Sequence, residues 1–234
     1  MVNISNPVYF DLIKSKVIKK SNKLDIISNK TRDKKIKVLR DPAQRIIFLE
    51  KFITTEKYYS SISRNEKKNN NFIKLKIGNK IEKFGLINDE LRRLNQFKKF
   101  ISNKKVLDFG CAFGKFIFLS KKHCKKIYGV ELRKKCIEYL RSKKIIIKKK
   151  LDEFNDKFDV ITMFHVLEHL PYQIDTLKSI HSKLKKGGKI IIEVPHGEDY
   201  LLNFEKLKNF KNFTFWSEHL ILHTERSLKI FLKE

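Results

Sequence analysis

The chain has 234 residues, of which 53 are Lys or Arg and 26 are Asp or Glu, giving a net charge of +27. Its hydrophobic content of 41% fills a core and excludes global disorder, and the length suits one α/β domain with an appendage. Three cysteines, Cys111, Cys124 and Cys136, show neither metal-type spacing nor an even count, and no apolar run is long enough to span a bilayer. No membrane insertion and a reducing, cytoplasmic location are expected. Residues 1–20, broken by Asp11 and several lysines, do not form the apolar region of a signal peptide.

Residues 1–84 read as an N-terminal extension. Apolar runs at 35–39 and 46–49, separated by Asp41-Pro42-Ala43-Gln44, predict a β-hairpin. Residues 62–83 are rich in Asn and Lys and read as a linker. The main domain is expected over 85–234. A helix starts near Asn88, with Leu91, Leu94, Phe97, Phe100 and Ile101 as its apolar stripe. Strands follow at 105–109, 126–131, 145–147, 158–164 and 189–194, with helices at about 114–122, 132–142 and 172–185. This alternation predicts a Rossmann-like, doubly wound α/β fold with a mostly parallel sheet and right-handed crossovers. A last helix, capped by Thr224, carries Leu228, Phe231 and Leu232.

Chemistry concentrates in two stretches. In the first, Val106-Leu107-Asp108-Phe109 leads into Gly110-x-Ala112-x-Gly114, a run of small residues where backbone turns sharply and lies close to a ligand. A helix opens directly after it. Glu131 closes the next strand 21 residues beyond Gly110, about where a ribose with two free hydroxyls finds its acceptor. Asp108 beside the turn disfavours a pyrophosphate and suits a cationic ligand, so NAD is not expected.

In the second stretch, Phe164-His165-Val166-Leu167-Glu168-His169-Leu170-Pro171 contains His165-x-x-Glu168-His169, the spacing of inverted zinc proteases. That chemistry needs both histidines on one helix. Here a strand runs up to Phe164 and Pro171 opens the next element, so no metal is expected. The high charge also points away from specific nucleic-acid recognition. Nine basic residues are Arg (32, 40, 45, 64, 92, 93, 133, 141 and 226) and the rest are Lys, which suits a solvated surface and non-specific polyanion binding.

The turn 108–114 resembles the first motif of class I S-adenosylmethionine (SAM)-dependent methyltransferases, Asp-x-Gly-x-Gly-x-Gly, with Ala112 replacing the middle glycine. Residues 158–196 resemble the middle of the same family, and the likeness covers about 84–232. It implies SAM as cofactor. Asp108, Gly110, Ala112 and Gly114 would line the methionine end and Glu131 would hold the ribose. Leu151 and Asp152 would flank the adenine, and Phe164 and His165 would close over the sulfonium side.

Residues 215–228 resemble the substrate-side segment of sugar methyltransferases, including nucleotide-sugar C-methyltransferases whose Glu-His pair performs acid–base work. The likeness implies His219 as base and Glu218 as its orienter or second acid. Leu222 replaces an aromatic residue of those enzymes, and residues 1–84 lack the cysteines of their zinc module, so O-methylation of a sugar or nucleotide-sugar is expected over C-methylation. An RNA methyltransferase or RNA-binding protein, and a catalytically inactive relative, are the alternatives. The family's sheet ordinarily ends in an antiparallel hairpin that this sequence does not provide. The expected strand order is therefore 3-2-1-4-5 with that hairpin missing, which leaves strand 189–194 as an exposed edge for oligomer contacts.

Overall fold

A computed structural model of the chain describes residues 3–53, 55, 58, 73–77, 80–84, 88–203 and 208–234. The chain forms two compact units. One comprises Met1–Thr54, His165–Ser179 and Ile192–Glu234; the other comprises Thr55–Phe164 and Ile180–Ile191. The units thus alternate along the chain, whereas the sequence expectation drew one boundary at residue 84.

In the second unit, β6 (Lys105–Phe109) is central because Val106, Leu107 and Asp108 are all buried, which requires cover on both faces. It pairs in parallel with β7 (Lys126–Val130) and β9 (Phe158–Phe164), and β7 pairs in parallel with β8 (Ile146–Lys148). With β10 (Leu184–Glu193) beside β9, the sheet order is β10-β9-β6-β7-β8, the expected 3-2-1-4-5 arrangement. Three helices of the second unit are α2 (Asn88–Ile101), α3 (Lys115–Ser120) and α4 (Lys134–Ser142). Leu94, Ile101, Phe116, Ile117, Ile137 and Leu140 pack into one apolar cluster. Leu91, expected on the inner stripe of α2, is exposed; the helix turns Arg93 inward instead, with its guanidinium 4.8 Å from the centre of the Phe164 ring.

Two boundaries moved. Helix α5 (Gln173–Ser182) stops before Leu184, which already belongs to β10. Between the bonds Phe158 N–H to Lys183 O and His165 N–H to Glu193 O, β9 advances fewer residues than β10. Within β10, Gly187 takes a φ of +74°. Residues 73–83, read as linker, instead contain β4 (Ile73–Ile77) and β5 (Lys80–Phe84), paired antiparallel. The Ile-Lys-Leu-Lys-Ile alternation is a strand signal that the lysine density obscured. The rest of that linker, 62–72 and 78–79, lies outside the described residues.

The first unit contains α1 (Pro7–Lys14) and an antiparallel sheet ordered β1-β2-β3-β11. Its strands are β1 (Asp25–Ser28), β2 (Val38–Arg40), β3 (Ile47–Leu49) and β11 (Ile221–Leu222). Strands β2 and β3 are the expected hairpin. Buried Asn6 ties the unit together: its amide donates to the Leu49 and Leu220 carbonyls, both at 2.9 Å, while its Oδ1 caps α1 through the Val8 N–H. Helix α6 (Lys208–Thr214) precedes β11, and α7 (Glu225–Phe231) follows with a Thr224–Ser227 capping box. Strand β11 pairs with β3, and no antiparallel pair flanks β10 among the described residues. No described helix is long and apolar enough to cross a membrane.

Candidate functional site

The turn between β6 and α3 is held by its own backbone. Gly110 and Ala112 take φ of +77° and +49°, and Gly114 takes +73°. The N–H groups of Gly110 and Cys111 donate to the Val130 carbonyl at 2.8 and 3.1 Å, and that of Gly114 to the Cys111 carbonyl at 2.8 Å. The Ala112 N–H donates to Glu131 Oε2 at 2.9 Å. Four turn amides therefore already have protein acceptors, and the turn is held by its own hydrogen bonds. Gly114 and Gly129 leave room for close packing: a Cβ at Gly114 would lie 2.5 Å from Leu140 Cδ2, and one at Gly129 2.7 Å from Cys111 Sγ.

Glu131, immediately after β7, is buried and collects donors from its own turn. Oε1 accepts from the Leu132 and Arg133 amides at 2.8 and 3.0 Å and from Arg133 Nε at 3.2 Å. Arg133 Nη2 lies 3.1 Å from Oε2. Charge-assisted bonds hold the carboxylate at the carboxyl end of the strand. Asp108, expected beside a cationic ligand, is buried in β6, where it accepts from Thr162 Oγ1 at 2.7 Å. Burial pushes its carboxyl up to about 7, against the lowering by Thr162 and by the charge of Arg93.

The remaining sequence candidates separate. Leu151 is buried and Asp152 exposed. The Phe164 ring packs with Phe97 and Phe116, at centroid distances of 6.0 and 4.9 Å. His165 follows in a left-handed conformation, φ +54°. Its exposed ring bridges two acids, with Nδ1 3.2 Å from Glu168 Oε1 and Nε2 3.2 Å from Glu193 Oε1.

In the first unit, Glu168, His169 and His219 bring three ligand-type atoms within 4.8 Å of one another. Glu168 and His169 lie on the 3₁₀ turn Leu167–His169, and the Leu220 N–H donates to the Glu168 carbonyl at 2.8 Å, fixing residues 217–220 against it. His169 Nδ1 is 2.8 Å from the Glu218 carbonyl and His219 Nδ1 is 2.8 Å from the Thr214 carbonyl. A carbonyl only accepts, so both Nδ1 atoms carry protons and Nε2 is the basic nitrogen of each neutral ring. The two rings meet edge-on at 5.0 Å, and Trp216 packs against both.

Burial lowers the affinity of His219 for a proton, and the negative charge of Glu168 only partly offsets this. Burial alone would raise the pKa of Glu168. The hydrogen bond from His165 and the nearby imidazoles outweigh it and hold the carboxyl below its usual range. Glu218, expected to orient His219, contributes its backbone carbonyl to His169; the Thr214 carbonyl orients His219. Sequence reasoning gave Glu168 and His169 no definite role because their partner lies in a distant segment.

A tight Gly/Ala turn after the central strand of a 3-2-1-4-5 sheet, with an acid ending the next strand, defines a doubly wound protein of the kind that binds a nucleoside-containing cofactor. Residues 81–234 match the methyltransferase-domain family, and the chain belongs to it. It is 34% identical over 107 residues to a tRNA U34 carboxymethyltransferase of Helicobacter acinonychis (strain Sheeba), covering 40% of this chain and 41% of that protein. It is 28% identical over 134 residues to a tRNA U34 carboxymethyltransferase of Campylobacter hominis, covering 51% and 47%. The chain thus spans less than half the length of these curated relatives. The crystal structure of a SAM-dependent methyltransferase from Archaeoglobus fulgidus matches 64% of this chain and 68% of its own, at 25% identity and a TM-score of 0.53. SAM fits the residues present. The turn carries glycine or alanine at 110, 112 and 114, and the Glu131 carboxylate stands at the carboxyl end of the next strand.

Proposed function

We propose that the protein transfers methyl from SAM to a hydroxyl of an anionic sugar acceptor, such as a nucleotide-sugar. The observation that carries this reading is a cavity of about 290 Å³ in the first unit, lined by Arg40, Arg45, Lys211 and Glu198 together with Ile27, Ile47 and Phe215, with Arg45 Nε 3.5 Å from Glu198 Oε1. Three cations against one lining carboxylate, with Arg40 Nη2 also 3.9 Å from Asp25 Oδ2, leave a net positive site with aromatic and aliphatic walls, which suits a phosphorylated sugar. Arg40 Nε is buried and has no hydrogen-bond partner among the described residues, a donor for an anionic oxygen.

In this reading Gly110, Ala112, Gly114 and Glu131 hold the cofactor, with Asp108 in the strand that leads into the turn. When bound, SAM supplies a methyl group on a positively charged sulfur. The chain has to align the acceptor oxygen, exclude water and take up the hydroxyl proton. The proton is taken up at the Glu168–His169–His219 cluster, whose rings are oriented by backbone carbonyls.

A second reading, an RNA acceptor, is favoured by the net charge of +27 and by the curated relatives named as tRNA-modifying enzymes. Kinetics with phosphorylated sugars tests the first reading. Arg40→Ala should raise KM for a nucleoside diphosphate sugar by about 10-fold or more, the worth of one charge-assisted hydrogen bond, and leave kcat nearly unchanged. An unchanged KM would remove the cavity from the reading.

A further inference from the structure

We propose that Glu168, His169 and His219 form a binding site for a divalent first-row transition-metal ion, ligated by the two Nε2 atoms and the carboxylate. The chemistry of the ligand set comes first. Two imidazoles and a carboxylate are the donors of open three-ligand zinc sites, and the same set accepts manganese or cobalt. Both rings are already in the ligating tautomer. Each donates Nδ1–H to a backbone carbonyl, Glu218 for His169 and Thr214 for His219, and so presents Nε2 as the lone-pair atom. This is the outer-shell arrangement that fixes ligating histidines in metal sites.

The spacing is close to what an ion needs. Bonds of about 2.1 Å at tetrahedral angles place ligand atoms about 3.4 Å apart. Here the three atoms lie within 4.8 Å of one another. Side-chain rotations of about an ångström close the difference.

A second observation is independent of that spacing. Glu168 is wholly buried, and its Oε2 has no hydrogen-bond partner among the described residues. A buried carboxylate oxygen with nothing to accept from is costly, and a cation satisfies it. His165 Nδ1, 3.2 Å from Glu168 Oε1, holds the other oxygen in place. One charge opposes the ion: the Arg32 guanidinium lies 4.1 Å from the centre of the Trp216 ring that backs both histidines. The Glu168 carboxylate is the counter-charge inside the cluster. The site differs from the inverted zinc-protease pattern in the sequence, since the second histidine ligand is His219 and not His165.

The site deepens the proposed function. Three protein ligands leave a coordination position for an oxygen ligand, where an acceptor hydroxyl would be acidified and lose its proton to solvent. With the ion bound, the two imidazoles act as ligands and the ion replaces them in the role of base. Its catalytic role rests on that reading; its existence does not.

The test is calorimetric titration of the chelator-stripped full chain with Zn²⁺ and, separately, Mn²⁺, followed by titration with S-adenosylhomocysteine (SAH) in the same preparation. The expected result is one ion per chain, with affinity falling about 10- to 100-fold or more in Glu168→Gln and in His219→Ala while SAH affinity stays within twofold of the parent. Unchanged SAH binding shows that the variants are folded. His181→Ala, at an exposed histidine outside the cluster, should bind the ion as the parent does. No stoichiometric ion in the parent, or equal affinity in Glu168→Gln, overturns the site. Ion binding without SAH binding would sustain the site and defeat the cofactor assignment instead.

Discussion

Glu131 carries the most weight in the cofactor turn, and two substitutions separate its structural role from its binding role. Its carboxylate accepts from three backbone amides and two guanidinium nitrogens at 2.8–3.2 Å. Glu131→Ala leaves those amides to find water around a site that is buried in the parent. At roughly 1 kcal/mol for each amide, the loss is about 2–4 kcal/mol of stability, and Ala112 is freed from its anchor. The same truncation removes the proposed ribose acceptor, a further 1.5–3 kcal/mol in binding, or about 10- to 150-fold in affinity. Glu131→Gln keeps the volume and one acceptor oxygen. It should lose only about 1 kcal/mol of stability while SAH binding weakens about 10-fold. Urea denaturation gives the first quantity and calorimetric titration with SAH the second. If both variants are less stable but bind SAH within twofold of the parent, Glu131 is a turn-holding residue and the ribose acceptor lies elsewhere.

Two further outcomes follow from the same structure. Ala112 sits at φ +49°, where a β-branched side chain is strained, so Ala112→Val should cost about 1–3 kcal/mol in denaturant melts, whereas Ala112→Gly should stay within about 1 kcal/mol of the parent. Equal stability of all three would refute the left-handed turn. His223 is buried between Gln173 Oε1 and Ser227 Oγ, at 2.7 and 3.0 Å, and burial pushes its pKa down from an ordinary 6.5 to about 4. The unfolded chain then binds the extra proton between those values. The contribution is complete above pH 6.5 and is lost as pH falls towards 4, about 3 kcal/mol in all. Stability measured against pH should therefore fall less steeply in His223→Gln over that window, and parallel curves would show that His223 does not titrate there.

The parallel sheet and the turn at 105–120 were legible because their signals are local: a short apolar strand, small residues, then helical spacing. Glu131 was legible for the same reason, since its distance from Gly110 is set by one β-α-β unit. Asp108 was legible as a residue but not in its environment. Its neighbours show a strand buried on both faces, yet the bond to Thr162 depends on the pairing of β6 with β9. The partnership of β3 with β11 joins opposite ends of the chain, and no local pattern in Ile221–Leu222 announces it. The cluster failed in a similar way. His165-x-x-Glu168-His169 suggested a motif on a single helix and was set aside for lack of that helix. The 3₁₀ turn supplies Glu168 and His169, and the long-range bond from the Leu220 amide brings in His219.

The reading of the acceptor is tested most directly by product analysis. The full chain is incubated with isotopically methyl-labelled SAM and, in separate reactions at equal ionic strength, with a panel of nucleoside diphosphate sugars and with unmodified tRNA. Mass spectrometry and NMR then locate the label. The account predicts SAH release matched by label on a sugar oxygen, with turnover about 10²–10⁴-fold lower in His219→Ala, and with tRNA bound only in a steeply salt-sensitive manner and left unlabelled. Label on tRNA, with none on any nucleotide-sugar, would contradict it.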